Sequence, residues 1–129
     1  MEVSETSLAK GRDVRFALSG LNQSLTPGAQ KVFDQIPNLE DWVLANIFGE
    51  VWSREGLDLK TRSLLTLAMQ ATIGAEQPLR GQLVAALNLG WTKEEVNEVF
   101  IHLMAYIGAP RALAALGWAI EVFTERGVE

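Results

Sequence analysis

The only histidine of this 129-residue chain lies in a segment with helical periodicity. Glu98 stands four residues before His102, and Tyr106 stands four residues after it. That spacing places the three side chains on one strip of a helix. An imidazole exchanges protons readily near neutral pH, so His102 is a candidate catalytic residue. The alternative interpretation is a partly exposed histidine on the flank of a helix.

Gln82 and Arg62 are polar side chains within otherwise apolar helical patterns. The amide of Gln82, in the string LRGQL, can donate and accept hydrogen bonds but cannot titrate. Ordinary surface is the alternative for this residue. Arg62 falls early in a predicted helix, where its planar fork can hold a carboxylate through two parallel bonds. The alternative for Arg62 is a structural ion pair with Glu50 or Asp58.

Three more residues near these positions have two interpretations each. Trp52 lies just before the polar break Ser53-Arg54-Glu55-Gly56 and either lines a pocket or packs in an interface. Glu50, two residues earlier, is either part of a site or the partner of Arg62. Arg111, in the string GAPRALAAL, is either an anion contact or a solvated side chain in the first turn of a helix.

Composition excludes several classes of function. The absence of cysteine rules out disulfides, thiolate metal sites and cysteine nucleophiles. One histidine with scattered acids predicts no metal site, and no phosphate loop, HExxH or serine elbow is present. The net charge of −5, with no basic block, argues against nucleic acid. Without a signal-peptide pattern or an apolar run of about 18 residues, we expect no membrane contact and a cytoplasmic location.

Every periodic segment is typical of helix, and the length fits one domain over residues 1–129. We therefore predict an all-α, single-domain helical bundle of about six helices. Helix signals include caps at Asn38 with Asp41 and at Asp58, a stop at Gly74, a capping box at Thr92 to Glu95, and a break at Gly108 before Pro110. The first thirty residues are less defined, with a short helix over 14–21 and a turn over 25–28.

The apolar residues of these helices bear on packing and assembly. The helix over about 59–73 is apolar on nearly all sides, which predicts a central position. In the last helix we expect Leu113, Leu116, Ile120 and Phe123 to face inward. So much apolar helix surface is difficult for a monomer of this size to cover, and this favours a homo-oligomer.

The string FGEVWSREGLDLKTRS, residues 48–63, resembles the carboxymuconolactone decarboxylase family. The resemblance extends over essentially the whole chain, from KGRDVRFALSG near the start to YIGAPRALAALGWAIEVF near the end. It implies an alkylhydroperoxidase-like helical fold that assembles as a trimer or hexamer. It also implies cofactor-free decarboxylation of a small carboxylated muconolactone in the degradation of aromatic compounds.

The resemblance also implies roles for particular residues. Such a substrate is its own electron sink, so the protein must hold the acid, stabilise an oxyanion and deliver a proton. Within that scheme, Arg62 with Glu50 and Trp52 would bind the substrate. His102 or Tyr106 would supply the proton, and Gln82 would hydrogen-bond the lactone or enolate oxygen.

Position 82 departs from the family pattern. The family string resembles LRxHVRAALNNG, whereas this chain has LRGQLVAALNLG, with Gln82 in place of histidine. The CxxCxxxH motif of the wider superfamily falls on Ala75, Pro78 and Gln82, which excludes thiol-based peroxide reduction. The loss of the histidine leaves open a divergent isomerase or cyclase acting on another lactone or quinone, or a noncatalytic binding protein.

Overall fold

A computed structural model describes residues 2–129 and contains seven α-helices, one π-helical segment and no strand within that range. The all-α prediction is confirmed, although α-helices number seven where about six were expected. Their bounds are α1 (Glu5–Ser19), α2 (Ala29–Gln35), α3 (Leu39–Val43), the π segment (Leu44–Trp52), α4 (Leu59–Ile73), α5 (Glu76–Asn88), α6 (Lys93–Ile107) and α7 (Ala109–Glu125). No helix within residues 2–129 is long and apolar enough to cross a bilayer.

The helix boundaries follow the local signals of the sequence. Asp58 caps α4 by accepting a 2.7 Å hydrogen bond from the Thr61 amide. Gly74 ends that helix with a left-handed φ of 71°. The capping box of α6 is complete, because the Glu95 amide donates to Thr92 Oγ1 and the Thr92 amide donates to Glu95 Oε1. These three predicted boundaries are confirmed.

The first helix is longer than the predicted helix over residues 14–21. α1 begins after Ser4, whose hydroxyl accepts a 3.3 Å bond from the Ser7 amide. Its first half is rich in polar and small residues, so apolar periodicity does not reveal it. Packing against the π segment stabilises this half and buries Ser7, Leu8 and Gly11.

Helices α4 to α7 enclose the main core. Within this group α4 is covered on one face only. Its buried face consists of Ser63, Leu67 and Ala71. Its other face leaves Met69 and Ile73 59% and 70% exposed, so the predicted central position was wrong. An all-round apolar helix is buried only where partners cover all of its faces, and the packing partners of α4 are α5, α6 and α7.

The predicted inward face of α7 was also wrong in part. Phe123 is buried, whereas Leu113 and Ile120 are 58% and 62% exposed. The helix instead turns a face of small residues inward, because these allow neighbouring helices to approach closely. Its buried residues are Ala112, Ala115, Ala119, Val122 and Phe123.

Helices α1 to α3 and the π segment form an N-terminal layer. Within it, α1 and the π segment cross in close contact. A Cβ at Gly11 would overlap the Leu44 carbonyl, and one at Gly49 would overlap the Ser7 carbonyl. Glycine at both positions therefore lets the two backbones touch. The C-terminal half of α1 then lies beside α5 and reaches α3 through the Arg15–Glu40 bond, where the structure opens into a cavity.

Candidate active site

A cavity of about 250 Å³ lies between the N-terminal layer and α5. Its walls are mainly apolar, and a few polar side chains stand among them, as in most small-molecule sites. Apolar side chains contribute Leu18, Leu25, Ala29, Phe33, Val43, Leu44, Ile47, Phe48 and Ala85. Gly81 and the polar residues Arg15, Ser19, Ser24, Thr26, Glu40 and Gln82 complete the lining.

Arg15 is the cationic residue of the cavity wall. Its side chain is only 9% exposed, because α1 turns this position toward the protein together with Val14 and Leu18. Nη1 donates to Glu40 Oε2 at 2.6 Å. Nη2 donates to the Asn22 carbonyl at 3.2 Å and to Asn22 Oδ1 at 2.9 Å. Nε is buried and has no partner among residues 2–129.

Glu40 is the acidic residue of the wall, and it comes from the start of α3. Its carboxylate is 30% exposed and forms a charge-assisted bond with Arg15. These are the two charged side chains among the lining residues, so their charges nearly compensate within the cavity. A ligand there meets strong local dipoles but little net charge.

Gln82 lines the same cavity from α5, as its predicted role requires. Its Oε1 is buried without a hydrogen-bond partner in residues 2–129. The neighbouring Gly81 allows the turn before α2 to close over the site. A Cβ at Gly81 would lie 2.8 Å from the Leu25 carbonyl carbon and from the Thr26 nitrogen, so any larger residue displaces this turn.

The residues predicted to bind substrate from around the π segment do not line the cavity. Trp52 is buried behind its wall and packs on Phe48, with 5.8 Å between ring centroids. Glu50 is exposed and accepts a hydrogen bond from Ser7 Oγ. Arg62 donates to two backbone carbonyls, those of Leu57 at 3.1 Å and Arg54 at 3.2 Å, so it holds the loop before α4.

The predicted proton donors lie elsewhere on α6. His102 and Tyr106 pack on each other with ring centroids 5.3 Å apart, which confirms their common strip. Both are exposed, Tyr106 by 77%, and neither lines the cavity. Arg111 extends over Gly74 at the C-terminal end of α4, a position that favours a cation through the helix dipole.

Two residues of the cavity, Arg15 and Glu40, were missed from the sequence. Arg15 occupies a helix face shared with Gly11, Val14 and Leu18, and an arginine among such residues was the available signal. Glu40 resembled an ordinary acid in the first turn of a helix. Its approach to Arg15, 25 residues earlier, is a tertiary contact that local periodicity does not report.

The helical fold and this largely apolar cavity are those of a protein that binds a small organic molecule. Residues 37–121 match the Carboxymuconolactone decarboxylase family, and the chain belongs to this family. The resemblance seen in the sequence is thereby confirmed.

Named relatives extend the comparison beyond the family domain. The chain is 36% identical over 127 residues to a 4-carboxymuconolactone decarboxylase of Acinetobacter baylyi, covering 96% of this chain and 92% of that protein. It is 39% identical over 69 residues to a nitrosuccinic acid decarboxylase of Metarhizium robertsii, covering 54% and 48% of the two chains. An uncharacterized 15.0 kDa protein of Paracoccus denitrificans is 36% identical over 96 residues, covering 73% and 72%. Two relatives named as decarboxylases support the prediction of an enzyme of the carboxy-lyase type.

Proposed function

We propose that this chain decarboxylates a small carboxylated lactone bound in the cavity, with 4-carboxymuconolactone as the first candidate. The observation that carries the proposal is the position of Gln82. It occupies the place of the family histidine and lines an apolar cavity with one arginine and one carboxylate. The relative that covers nearly the whole chain supports the substrate class. The proposed role is a step in the degradation of aromatic compounds.

Decarboxylation of such a lactone needs a site that stabilises an enolate. When carbon dioxide leaves, the electron pair of the broken C–C bond passes into the conjugated ring, and the carbonyl oxygen of the lactone gains negative charge. Hydrogen-bond donors fixed in a cavity of low polarity stabilise that charge more strongly than water does. The amide of Gln82 is one such donor on the wall of the cavity.

Gln82 cannot complete the reaction, because an amide does not transfer a proton. We therefore expect slow but measurable release of carbon dioxide from 4-carboxymuconolactone by the wild-type chain. Gln82→His should increase that rate, and the matched variant Gln70→His, on α4 and outside the cavity lining, should not. An efficient wild-type enzyme that Gln82→His does not improve would show that another residue carries the proton.

A divergent isomerase or cyclase acting on another lactone or quinone is the second candidate, and the glutamine at position 82 favours it. Such an enzyme would rearrange its substrate and release no carbon dioxide. NMR spectra of lactones and quinones incubated with the protein distinguish the two reactions directly. If a substrate were converted to a product with the same number of carbon atoms, we would assign an isomerase or cyclase activity in place of decarboxylation.

We also propose that the chain assembles with copies of itself. Apolar side chains are exposed on three neighbouring helices, with Met69 and Ile73 on α4, Ile101 on α6, and Leu113 and Ile120 on α7. Light scattering at micromolar concentration should give a mass several times 14.2 kDa. Ile73→Glu should reduce this mass, since it places a charge on the face. A monomeric wild-type protein would refute the assembly.

A further inference from the structure

The hydrogen bonds of Arg15 leave one of its three side-chain nitrogens, Nε, without a partner. A guanidinium carries five N–H groups. In the described contacts Nη1 donates to Glu40, and Nη2 donates to two oxygens of Asn22. Nε is buried without a partner in residues 2–129, although the side chain belongs to the cavity wall. A buried donor that lacks an acceptor is unfavourable, so a ligand oxygen that reaches it gains affinity.

The same contacts limit the kind of oxygen that Arg15 can bind. A carboxylate grips arginine through two parallel N–H groups on one edge of the guanidinium. The edge that contains Nε also contains Nη2, and Nη2 already donates to the carbonyl and to Oδ1 of Asn22. A carboxylate bound along this edge would compete with Asn22 for Nη2. Nη1 donates to Glu40. Nε is therefore the one nitrogen of Arg15 without a partner in residues 2–129, which suits one carbonyl or enolate oxygen better than a bidentate carboxylate.

We infer that Arg15 Nε donates a hydrogen bond to the carbonyl oxygen of the lactone, which becomes negative during decarboxylation. This inference rests on the proposed function. In that step the C–C bond to the carboxylate breaks, carbon dioxide leaves, and the electron pair moves through the ring to the lactone carbonyl oxygen. A proton from solvent then adds to a ring carbon, the carbonyl is restored, and neither oxidant nor reductant takes part.

The ion pair with Glu40 makes this donor selective for the transition state. Because Glu40 compensates the charge of Arg15, the substrate carboxylate gains little from the arginine before reaction. The hydrogen bond at Nε strengthens only as charge moves to the lactone oxygen. Interactions stronger in the transition state than in the bound substrate raise kcat, whereas uniform binding changes KM.

The first test is the kinetics of Arg15→Lys on 4-carboxymuconolactone, measured both in the wild-type chain and in the faster Gln82→His variant. Lysine keeps the positive charge beside Glu40 but cannot place an N–H at the position of Nε. We expect kcat to fall about 100-fold, as for loss of an oxyanion donor, with KM changed less than about threefold. The matched control is Arg12→Lys, an exposed arginine on the same helix that pairs with Asp41 at 4.0 Å. Its kcat should stay within about twofold of the wild type.

The second test uses the wild-type protein, so it does not depend on the folding of a variant. The probe is tetronate, the stable enolate of a five-membered lactone, with uncharged γ-butyrolactone as the control. In protein labelled with ¹⁵N-arginine, tetronate should shift and sharpen one Nε–H signal, which nuclear Overhauser contacts assign to Arg15. γ-Butyrolactone should produce a much smaller shift.

The outcomes separate this inference from the proposed function. If the wild type or Gln82→His releases carbon dioxide, an unchanged kcat on introduction of Arg15→Lys, or a rise in KM alone, overturns the inference and leaves the function intact. If neither the wild type nor Gln82→His releases carbon dioxide, the proposed substrate fails and the NMR titration decides about Arg15. A tetronate-dependent shift of Arg15 Nε–H then supports the donor role. Its absence, or an equal response to γ-butyrolactone, refutes it.

Discussion

The C-terminal helices and the N-terminal layer bury different kinds of residue. In α4 to α7 the core is almost entirely apolar, and Leu67, Leu83 and Phe100 are fully buried. The buried polar residue there is Ser63, whose hydroxyl donates to the Lys60 carbonyl at 2.6 Å. The N-terminal layer buries Arg15 with polar partners and encloses a cavity against α5. We therefore assign most of the stability to the C-terminal helices and ligand binding to the N-terminal layer with α5.

Removing an aromatic ring from each region should show the difference between them most clearly. Phe100→Ala, within α6, should lower the free energy of unfolding by about 3–5 kcal/mol because it leaves a cavity in a dense core. Phe33→Ala removes a partly buried ring from the wall of the active-site cavity. It should lower stability far less and weaken ligand binding. Urea denaturation and ligand titration measure both effects, and equal stability losses would remove the contrast between the regions.

A methyl group at Gly81 tests whether the turn over residues 25–26 belongs to the ligand-binding region. Gly81→Ala forces the backbone of Leu25 and Thr26 outward, with a stability loss of about 1–3 kcal/mol from overpacking and weaker ligand binding. Gly117→Ala is the control, because its Cβ meets nothing within 4 Å in the middle of α7. That change should stabilise the protein by roughly 0.5–1 kcal/mol. If Gly81→Ala bound ligand as well as the wild type, the turn would not be part of the site.

Arg62 lies at the junction between the two regions and tests the role that the sequence implied. Its bonds to the Leu57 and Arg54 carbonyls predict that Arg62→Lys lowers the free energy of unfolding by about 1 kcal/mol. Ligand affinity should stay unchanged, because Arg62 is not in the cavity lining. Thermal melting and ligand titration of the same samples give both values. Weaker binding at an unchanged melting temperature would restore Arg62 as the substrate grip.

The smallest expected effect is the pH dependence of the helix caps in the stable region. The hydrogen bond from the Thr92 amide lowers the pKa of Glu95 below its ordinary value of 4.5. A lowered carboxyl pKa contributes stability that is present above pH 4.5 and disappears as the pH falls through the folded-state value.

Glu95→Gln should therefore reduce the loss of melting temperature between neutral pH and pH 3, by a few degrees at most. Glu94→Gln is the matched control, because Glu94 makes no capping bond among the described hydrogen bonds of α6. Equal acid sensitivity in the wild type and both variants would show that the cap adds no measurable stability.

The sequence predicts the helices better than the surfaces they cover. Caps and stops such as Asp58, Gly74 and the Thr92–Glu95 box are local, and they appear where expected. The outer faces of α4 and α7 are different, because an apolar side chain shows that burial is favourable but not which partner provides it. Met69 and Ile120 were expected to be covered and are exposed in the chain by itself.

The candidate site could be predicted only in part for a similar reason. Gln82 was found through its place in a family string, and it lines the cavity. Arg15 depends on Asn22 and Glu40, which lie 7 and 25 residues away, and helical spacing contains no information on such contacts. His102 attracted attention as the single histidine, but rarity in composition does not indicate position in the fold. The catalytic roles of His102 and Tyr106 stay predictions.

The structure of the protein with a bound lactone acid tests the location of the active site most directly. A suitable ligand is 2-(5-oxotetrahydrofuran-2-yl)acetate, which lacks the conjugated ring system that accepts electrons and therefore does not react. We predict that it occupies the cavity between α1 and α5, with its lactone oxygen within hydrogen-bond distance of Arg15 Nε or Gln82 Nε2. A ligand bound beside His102 and Tyr106, with the cavity left empty, would contradict this assignment and return the active site to the α6 strip.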